Sequence, residues 1–392
     1  MYRICFVTTI SLTLKTFVLD FAKHLHKTGD FDICFVCDHD EEFANSLPDY
    51  IRYHPISMKR GISPGGVRAM LEMYRFFKKE KFDIVQYSTP NASCYAALAS
   101  KMANIPHRLY CQWGIAYVGF SGLKRRIFKL VEKLVCNCST DIEPDSLGNL
   151  EFSRSQGLYG PQKSRVIHNG SASGVNLKKF DISRKGLWRE EKRKALSIPD
   201  QATVFIFIGR ITRDKGINEL FVAVRSLMEK KKDVYLLLVG SVEKSESADP
   251  ELYNWSLGEQ RVIYAGYTNE VEKYLAASDI YLLPSYREGF GSAVVEAEAM
   301  GLPVIVSDIP GPTNAMINGK TGLLTPKADA DSLYKNMLFL YENRHICAEY
   351  GKQGEEFART CFEQTELFEK MYNDRLWILE HSHKTHKRKD SI

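Results

Sequence analysis

Two stretches of the chain repeat a single rhythm, in which a short run of β-branched and aromatic residues alternates with a longer segment of helical periodicity. Residues 2–8, 31–37, 82–88, 107–113 and 164–170 are such runs in the first half, with helices read near Thr16 to His26, at about Ala92 to Ala103 and over 123–135. Residues 202–210, 233–240, 261–266, 279–285 and 302–308 form a second series. A strand that waits for a helix before its neighbour arrives is joined to it by a crossover, so each series predicts a doubly wound parallel sheet. Between them, residues 176–186 are polar and charged and make the candidate linker. The expected division is an α/β chain with one domain over 1–180, a second over 181–365, and a C-terminal helix with a disordered basic tail (384–392) over 366–392. Its 392 residues suit two cores rather than one, and two domains imply a cleft.

Hydrophobic residues at 44% and charged residues at 26% match a water-soluble globular protein, and no segment reaches the roughly 20 uninterrupted apolar residues that span a bilayer. Residues 1–30 lack a basic leader and a small-residue cleavage site, so they read as strand, loop and helix, and the cytoplasm is the expected location. Nine cysteines, most of them in apolar runs, are expected to be buried free thiols. Cys34 and Cys37 have CxxC spacing, but within one strand they project to opposite faces. A net charge of +5 is too small at this length to argue for nucleic acid as a partner. Neither a G-x-G-x-x-G nor a P-loop pattern is present, which removes the main support for a nicotinamide dehydrogenase or a P-loop enzyme.

The chemistry concentrates in residues 279–308, where a buried strand ends at a Pro-Ser turn, a loop carries Glu288, Gly289, Phe290 and Gly291, and a helix of Ala, Val and Glu follows. A helix start presents unpaired N–H groups and a partial positive charge, and small residues let an anion approach the backbone, so a phosphate is the natural guest. Glu288 lies in the loop and Glu296 in the helix, where they reach different parts of one ligand. Sugar hydroxyls are good donors to an ionised carboxylate. A glutamate on a helix is ordinarily a solvated charge, and that is the expectation for Glu298. The helix around Glu296 is apolar enough to be covered, which makes Glu296 costly to bury without a partner. Gly209 ends another buried strand, and Arg210 and Lys215 straddle the loop after it. Alone they would be surface charges; at the carboxyl edge of a parallel sheet two cations suit a diphosphate.

Residues 209–216, 288–308 and 318–324, in that order and spacing over about 203–325, resemble the retaining nucleotide-sugar glycosyltransferases of family 4, whose GT-B fold is two facing Rossmann-like domains. The resemblance implies that Glu296 holds the ribose hydroxyls and that Glu288 touches the transferred sugar. It implies that Arg210 and Lys215 neutralise the diphosphate, while Gly209 and the backbone of Phe290, Gly291 and Ser292 complete the donor site. Residues 85–93, 112–119, 143–152 and 167–180 are similar to members that build capsule or O-antigen repeat units. Trp113 stands about where many relatives have a catalytic-region histidine, and His107 lies a few residues earlier, so both are candidates for the acceptor or catalytic region. The implied donor is a UDP-sugar carrying an N-acetylated hexose or deoxyhexose, and the implied acceptor a glycan or polyprenyl-diphosphate-linked glycan. No metal or other cofactor is expected, because the cations supply the charge and no DxD-type motif ends a strand.

Residues 121–135 place Leu123, Ile127, Val131, Leu134 and Val135 on one helical face and Lys124, Arg125, Arg126, Lys129 and Lys133 elsewhere. Two readings stand. A basic amphipathic helix can lie on an anionic membrane, which would put the protein peripherally at the inner face of the plasma membrane; a domain helix would pack the same face on the sheet. Other functions also stay open. A UDP-sugar 2-epimerase of the same architecture would form product without an acceptor, and a non-catalytic sugar-nucleotide binding protein would hold the donor without turning it over. A nucleic-acid binder would need a concentrated basic face with interleaved aromatics.

Overall fold

The computed structural model describes residues 1–58, 64–243 and 248–381; the tail read at 384–392 lies outside them. The chain divides into two compact units, one of Met1–Ser173 with the segment from Thr365 onward, the other of Gly174–Gln364.

In the first unit the strands are β1 (Tyr2–Val7), β2 (Phe31–Val36), β3 (Ile51–Tyr53), β4 (Ile84–Tyr87), β5 (His107–Gln112) and β6 (Asp141–Pro144). They alternate with α1 (Ser11–Phe17), α2 (Leu19–Thr28), α3 (Glu41–Ser46), α4 (Pro64–Glu80), α5 (Pro90–Met102), α6 (Gly122–Cys138) and α7 (Leu147–Ser155). The sheet runs β3-β2-β1-β4-β5-β6, all parallel. Its strands are buried on both faces, which is why they read as continuous apolar runs. Ile4, Phe6, Ile33, Phe35 and Cys37 pack into the core on one face, and Cys5, Val7, Cys34 and Val36 into the core on the other. Cys34 and Cys37 are thus separated by the sheet itself. Residues 164–170, read as a strand, contribute only an isolated bridge from Ser164 to Ile142, next to the short polar strand β6.

The second unit contains α8 (Lys185–Ala195), β7 (Thr203–Ile208), α9 (Ile217–Lys230), β8 (Val234–Val239), α10 (Pro250–Gly258), β9 (Val262–Gly266) and α11 (Val271–Ala276). It continues with β10 (Ile280–Leu283), α12 (Ser292–Ala299), β11 (Val304–Ser307), β12 (Gly322–Thr325), α13 (Ala330–Glu342) and α14 (Arg344–Cys361). Its sheet runs β12-β11-β10-β7-β8-β9, also wholly parallel, so both units wind outward in two directions from their first and fourth strands. This is the Rossmann-like strand order.

The last helix, α15 (Gln364–His381), is built into the first unit, where Leu367, Phe368, Met371, Ile378 and Leu379 join the core beside α2. Arg375, fully buried, pairs with Glu143 at 2.6 Å and Asp374 at 2.8 Å and also donates to Gln86. A buried guanidinium needs this many acceptors to offset its lost hydration.

Candidate active site

In an open parallel sheet the two central strands send their connections to opposite faces, leaving a crevice beyond their carboxyl ends. In the second unit those strands are β7 and β10, and the loops that follow them are 209–216 and 284–291. The two loops are held together closely. Gly216 has φ +72° and caps α9; a Cβ there would stand 2.0 Å from the Pro284 carbonyl oxygen. The Tyr286 N–H donates to the Asp214 carbonyl at 2.9 Å, and the Tyr286 hydroxyl donates to Glu219 at 2.6 Å.

The side chains on these loops are engaged in ion pairs. Lys215 Nζ donates to Glu288 Oε1 at 2.6 Å, with only 19% and 12% of the two side chains exposed. Arg210 contacts Glu243 at 3.0 Å and Asp214 at 3.8 Å, and Arg287 reaches Asp214 at 3.0 Å. Burial pushes the Asp214 carboxyl up, but the Thr212 hydroxyl and the Arg287, Arg210 and Lys215 charges outweigh it and hold Asp214 below the ordinary range. An ammonium has three donors, and Glu288 takes one from Lys215, so the same cation can serve a phosphate without leaving its carboxylate. Of the residues singled out in these loops, Lys215 and Glu288 are in direct contact, while Arg210, next to Gly209 at the end of β7, engages Asp214 and Glu243.

The second loop leads into α12, whose N-cap is Gly291 at φ +87° with no side-chain hydrogen bond capping it, and a helix start of this kind presents N–H groups and a partial positive charge. Ser292 is half-buried there. Phe290 is 2% exposed and packs its ring on Phe362 at 5.2 Å, so only its backbone is available to a ligand. Glu296 is half-buried one turn into the helix. Burial raises its carboxyl to about 7; the Lys179 ammonium pulls it down and the Glu272 carboxylate adds to the rise. Lys179 and Glu272 pair with each other at 3.8 Å. Glu298, expected to be solvated, is instead fully buried, packed against Gly354 of α14, and burial drives its carboxyl well above the usual range against the pull of the Thr321 hydroxyl. The correction has a simple cause: Glu298 lies on the face of α12 that packs against α14, where no solvent is left for a surface charge.

The profile described as "Glycosyl transferases group 1" matches residues 188–357, and "Glycosyl transferase 4-like" matches residues 3–145. The chain belongs to the GT-B glycosyltransferases of family 4. This glycosyltransferase is 29% identical to the capsular polysaccharide biosynthesis glycosyltransferase CapM of Staphylococcus aureus, over 82% of its own length and 84% of the relative's. It is 28% identical to the UDP-Gal:alpha-D-GlcNAc-diphosphoundecaprenol alpha-1,3-galactosyltransferase of Escherichia coli, over 80% and 81% of the two chains. Among solved structures, sucrose-phosphate synthase from Thermosynechococcus elongatus shares its fold with a TM-score of 0.78 at 19% identity, covering 97% of the glycosyltransferase and 100% of that chain. The enzyme is accordingly a nucleotide-sugar-dependent transferase.

The remaining sequence candidates lie in the first unit of the transferase and do not meet each other. His107 begins β5 at the amino edge of its sheet, buried and paired in register with Ile84, whereas Trp113 follows the carboxyl end of the same strand, its ring 5.4 Å from that of Phe17. Six residues of strand, roughly 20 Å, separate the two positions. Only Trp113 is at the edge where ligands bind. Sequence reasoning missed Asp214, Arg287 and Lys179. Asp214 and Arg287 sit beside Lys215 and Glu288 in the two motif loops, a signal that was available; Lys179, in the polar segment read as a linker, carried none.

Proposed function

We propose that the enzyme is a retaining transferase that moves a sugar, an N-acetylated hexose or deoxyhexose, from a UDP-sugar to a glycan carried on polyprenyl diphosphate, in capsule or O-antigen synthesis. The observation that carries the reading is the Lys215–Glu288 contact at 2.6 Å, which ties the loop after β7, with Arg210 on it, to the loop that leads into α12. Cleaving a sugar–phosphate bond puts negative charge on the departing diphosphate and an oxocarbenium-like centre on the sugar. Arg210, Lys215 and the α12 N–H groups meet the first demand, which makes a metal unnecessary. Glu288 and the backbone at Phe290 to Ser292 fix the sugar, and Glu296 accepts from the ribose hydroxyls. With no carboxylate assigned as a covalent nucleophile, the acceptor attacks from the face the diphosphate leaves, and a departing phosphate oxygen takes its proton. UDP and the lipid-linked acceptor draw support from the Escherichia coli relative, whose name specifies both.

A lipid-linked acceptor requires a membrane surface, and α6 supports that reading. Among the described residues no helix is long and apolar enough to cross a membrane. Yet Leu123, Ile127, Leu130 and Leu134 are 72%, 42%, 69% and 42% exposed, while Val131 and Val135 turn inward. The face read from the sequence as single is thus split, and the outward part is a leucine stripe edged by Arg126 and Lys133, the geometry of a helix lying on anionic lipid. The experiment is a transfer assay with a panel of UDP-sugars and a polyprenyl-diphosphate-linked glycan. One UDP-sugar should give an elongated lipid with the anomeric configuration retained; turnover of the donor to an epimer without acceptor would replace this reading with the epimerase.

A further inference from the structure

Behind the exposed stripe of α6 lies a cavity of about 220 Å³ within the first unit, walled by Val67 of α4, Cys94 and Tyr95 of α5, and Phe128, Val131 and Val135 of α6. It reaches the surface at Val67, 58% exposed, and extends to Pro90 and Asn91 beyond the carboxyl end of β4, one of the two central strands. Polar groups interrupt the apolar wall, among them Glu132 and Ser93. Glu132 accepts from the Tyr110 hydroxyl at 2.9 Å and the Gln112 amide at 2.6 Å, and burial favours its uncharged form. The Ser93 hydroxyl, 1% exposed, has no partner among the described residues, a position that a ligand oxygen satisfies.

Helix α6 joins this cavity to the outside. At about 100° per residue its four exposed apolar side chains fall within roughly 60° of one another, and Val131 occupies the sector between that stripe and the buried face. The apolar surface therefore continues around the helix from solvent into the cavity. Lys124 and Arg125, exposed in the first turn of α6 on the side of the helix that carries Val131 and Phe128, offer positive charge there. A ligand matching all three features has a flexible hydrocarbon chain, an oxygen at one end and a strongly anionic head. For scale, an engineered apolar cavity of about 150 Å³ takes up a six-carbon ring, so this one has room for a five-carbon isoprene unit.

We propose that the cavity binds the first isoprene unit of a polyprenyl diphosphate, drawn in along α6, so that the lipid is held by its chain as well as by its anionic head. The proposal rests on the lipid-linked acceptor reading, and its test measures binding rather than transfer. The half-buried Cys94 thiol in the wall is the reporter. In the intact protein, farnesyl diphosphate below its micellar concentration should slow maleimide alkylation of Cys94, followed by peptide mass spectrometry, at least about fivefold. Inorganic pyrophosphate and lyso-phosphatidylglycerol should not slow it. Protection by pyrophosphate alone, equal protection by the acyl lipid, or no protection by farnesyl diphosphate would each overturn the proposal. As a second measurement, Cys94→Trp fills the cavity and should weaken farnesyl diphosphate binding by calorimetry at least about tenfold while the KM for the donor stays unchanged; unaltered lipid affinity overturns the assignment. Transfer to lipid-linked acceptors without protection of Cys94 removes this site and leaves the acceptor reading standing, and protection without any such transfer does the reverse.

Discussion

Donor affinity should rise with pH, because the carboxylate assigned to the ribose is held near neutrality by its surroundings. Burial, offset by Lys179 and reinforced by Glu272, brings Glu296 from the ordinary 4.5 to about 7. Roughly one Glu296 in ten is then ionised at pH 6 and roughly nine in ten at pH 8. If only the ionised form accepts from both ribose hydroxyls, apparent affinity differs about tenfold between these conditions, or about 1.4 kcal/mol. The sign follows from the direction of the shift: the free protein must lose a proton to bind, so the dissociation constant falls as pH rises and levels off above the titration. The assay is calorimetric titration with an intact UDP-sugar rather than UDP, since a terminal phosphate itself titrates at about pH 6. Glu296→Gln should bind weakly and without pH dependence, and Glu272→Gln should move the midpoint downward by removing a like charge. Wild-type affinity that is flat from pH 6 to 8, or a slope that survives in Glu296→Gln, refutes the reasoning. The same shift bears on folding, because between 4.5 and about 7 the folded state keeps a proton that the unfolded chain has released, so stability falls as pH climbs through that window.

Arg210→Ala and Lys215→Ala should each lower kcat/KM at least about tenfold, the second also leaving Glu288 without its cation; steady-state rates equal to wild type would count against their assignment to the diphosphate. Gly216→Ala forces a Cβ to within 2.0 Å of the Pro284 carbonyl at a positive φ, and should lower stability by about 2 kcal/mol or more, read as a fall of several degrees in Tm; an unchanged Tm would mean that the two loops are not locked there. Glu298→Gln should raise Tm at pH 8 and not at pH 4, because its burial raises the carboxyl well above the usual range and ionisation is resisted as pH rises; equal Tm values for both proteins at pH 8 would contradict this. Charge reversal at Lys124, Arg125 and Arg126 should release the protein from anionic vesicles in a flotation assay, and persistent binding would remove α6 as the membrane contact.

The two sheets were readable because parallel strands covered on both faces leave long apolar runs, as in Val204 to Phe207 or Leu236 to Val239. Strands β3, β6 and β12 escaped because the three residues at Ile51–Tyr53 and the four at Gly322–Thr325 are too few to show a pattern and Asp141–Pro144 is half polar. Residues 164–170 have the opposite property: they are strand-like in composition but make one bridge, since β6 already occupies the edge beside β5. The two loops proposed to hold the donor stood out in the sequence because glycine, cations and acids gather there just after strand ends. Glu298 was not legible, since periodicity within one helix cannot tell that a later helix, α14, covers the face it stands on. Nor could the pattern of α15 reveal which sheet receives its apolar face, or that of α6 which of its two apolar sectors points outward.

The central claim is that one pocket at the carboxyl edge of the second sheet grips a diphosphate between two loops and a helix start. A crystal structure of the enzyme with an intact UDP-sugar tests it most directly. The account predicts phosphate oxygens within hydrogen-bond distance of Arg210, Lys215 and the N–H groups at the start of α12, with the ribose on Glu296 and the sugar beside Glu288. A nucleotide bound elsewhere, with Lys215 still engaged only by Glu288, would contradict it.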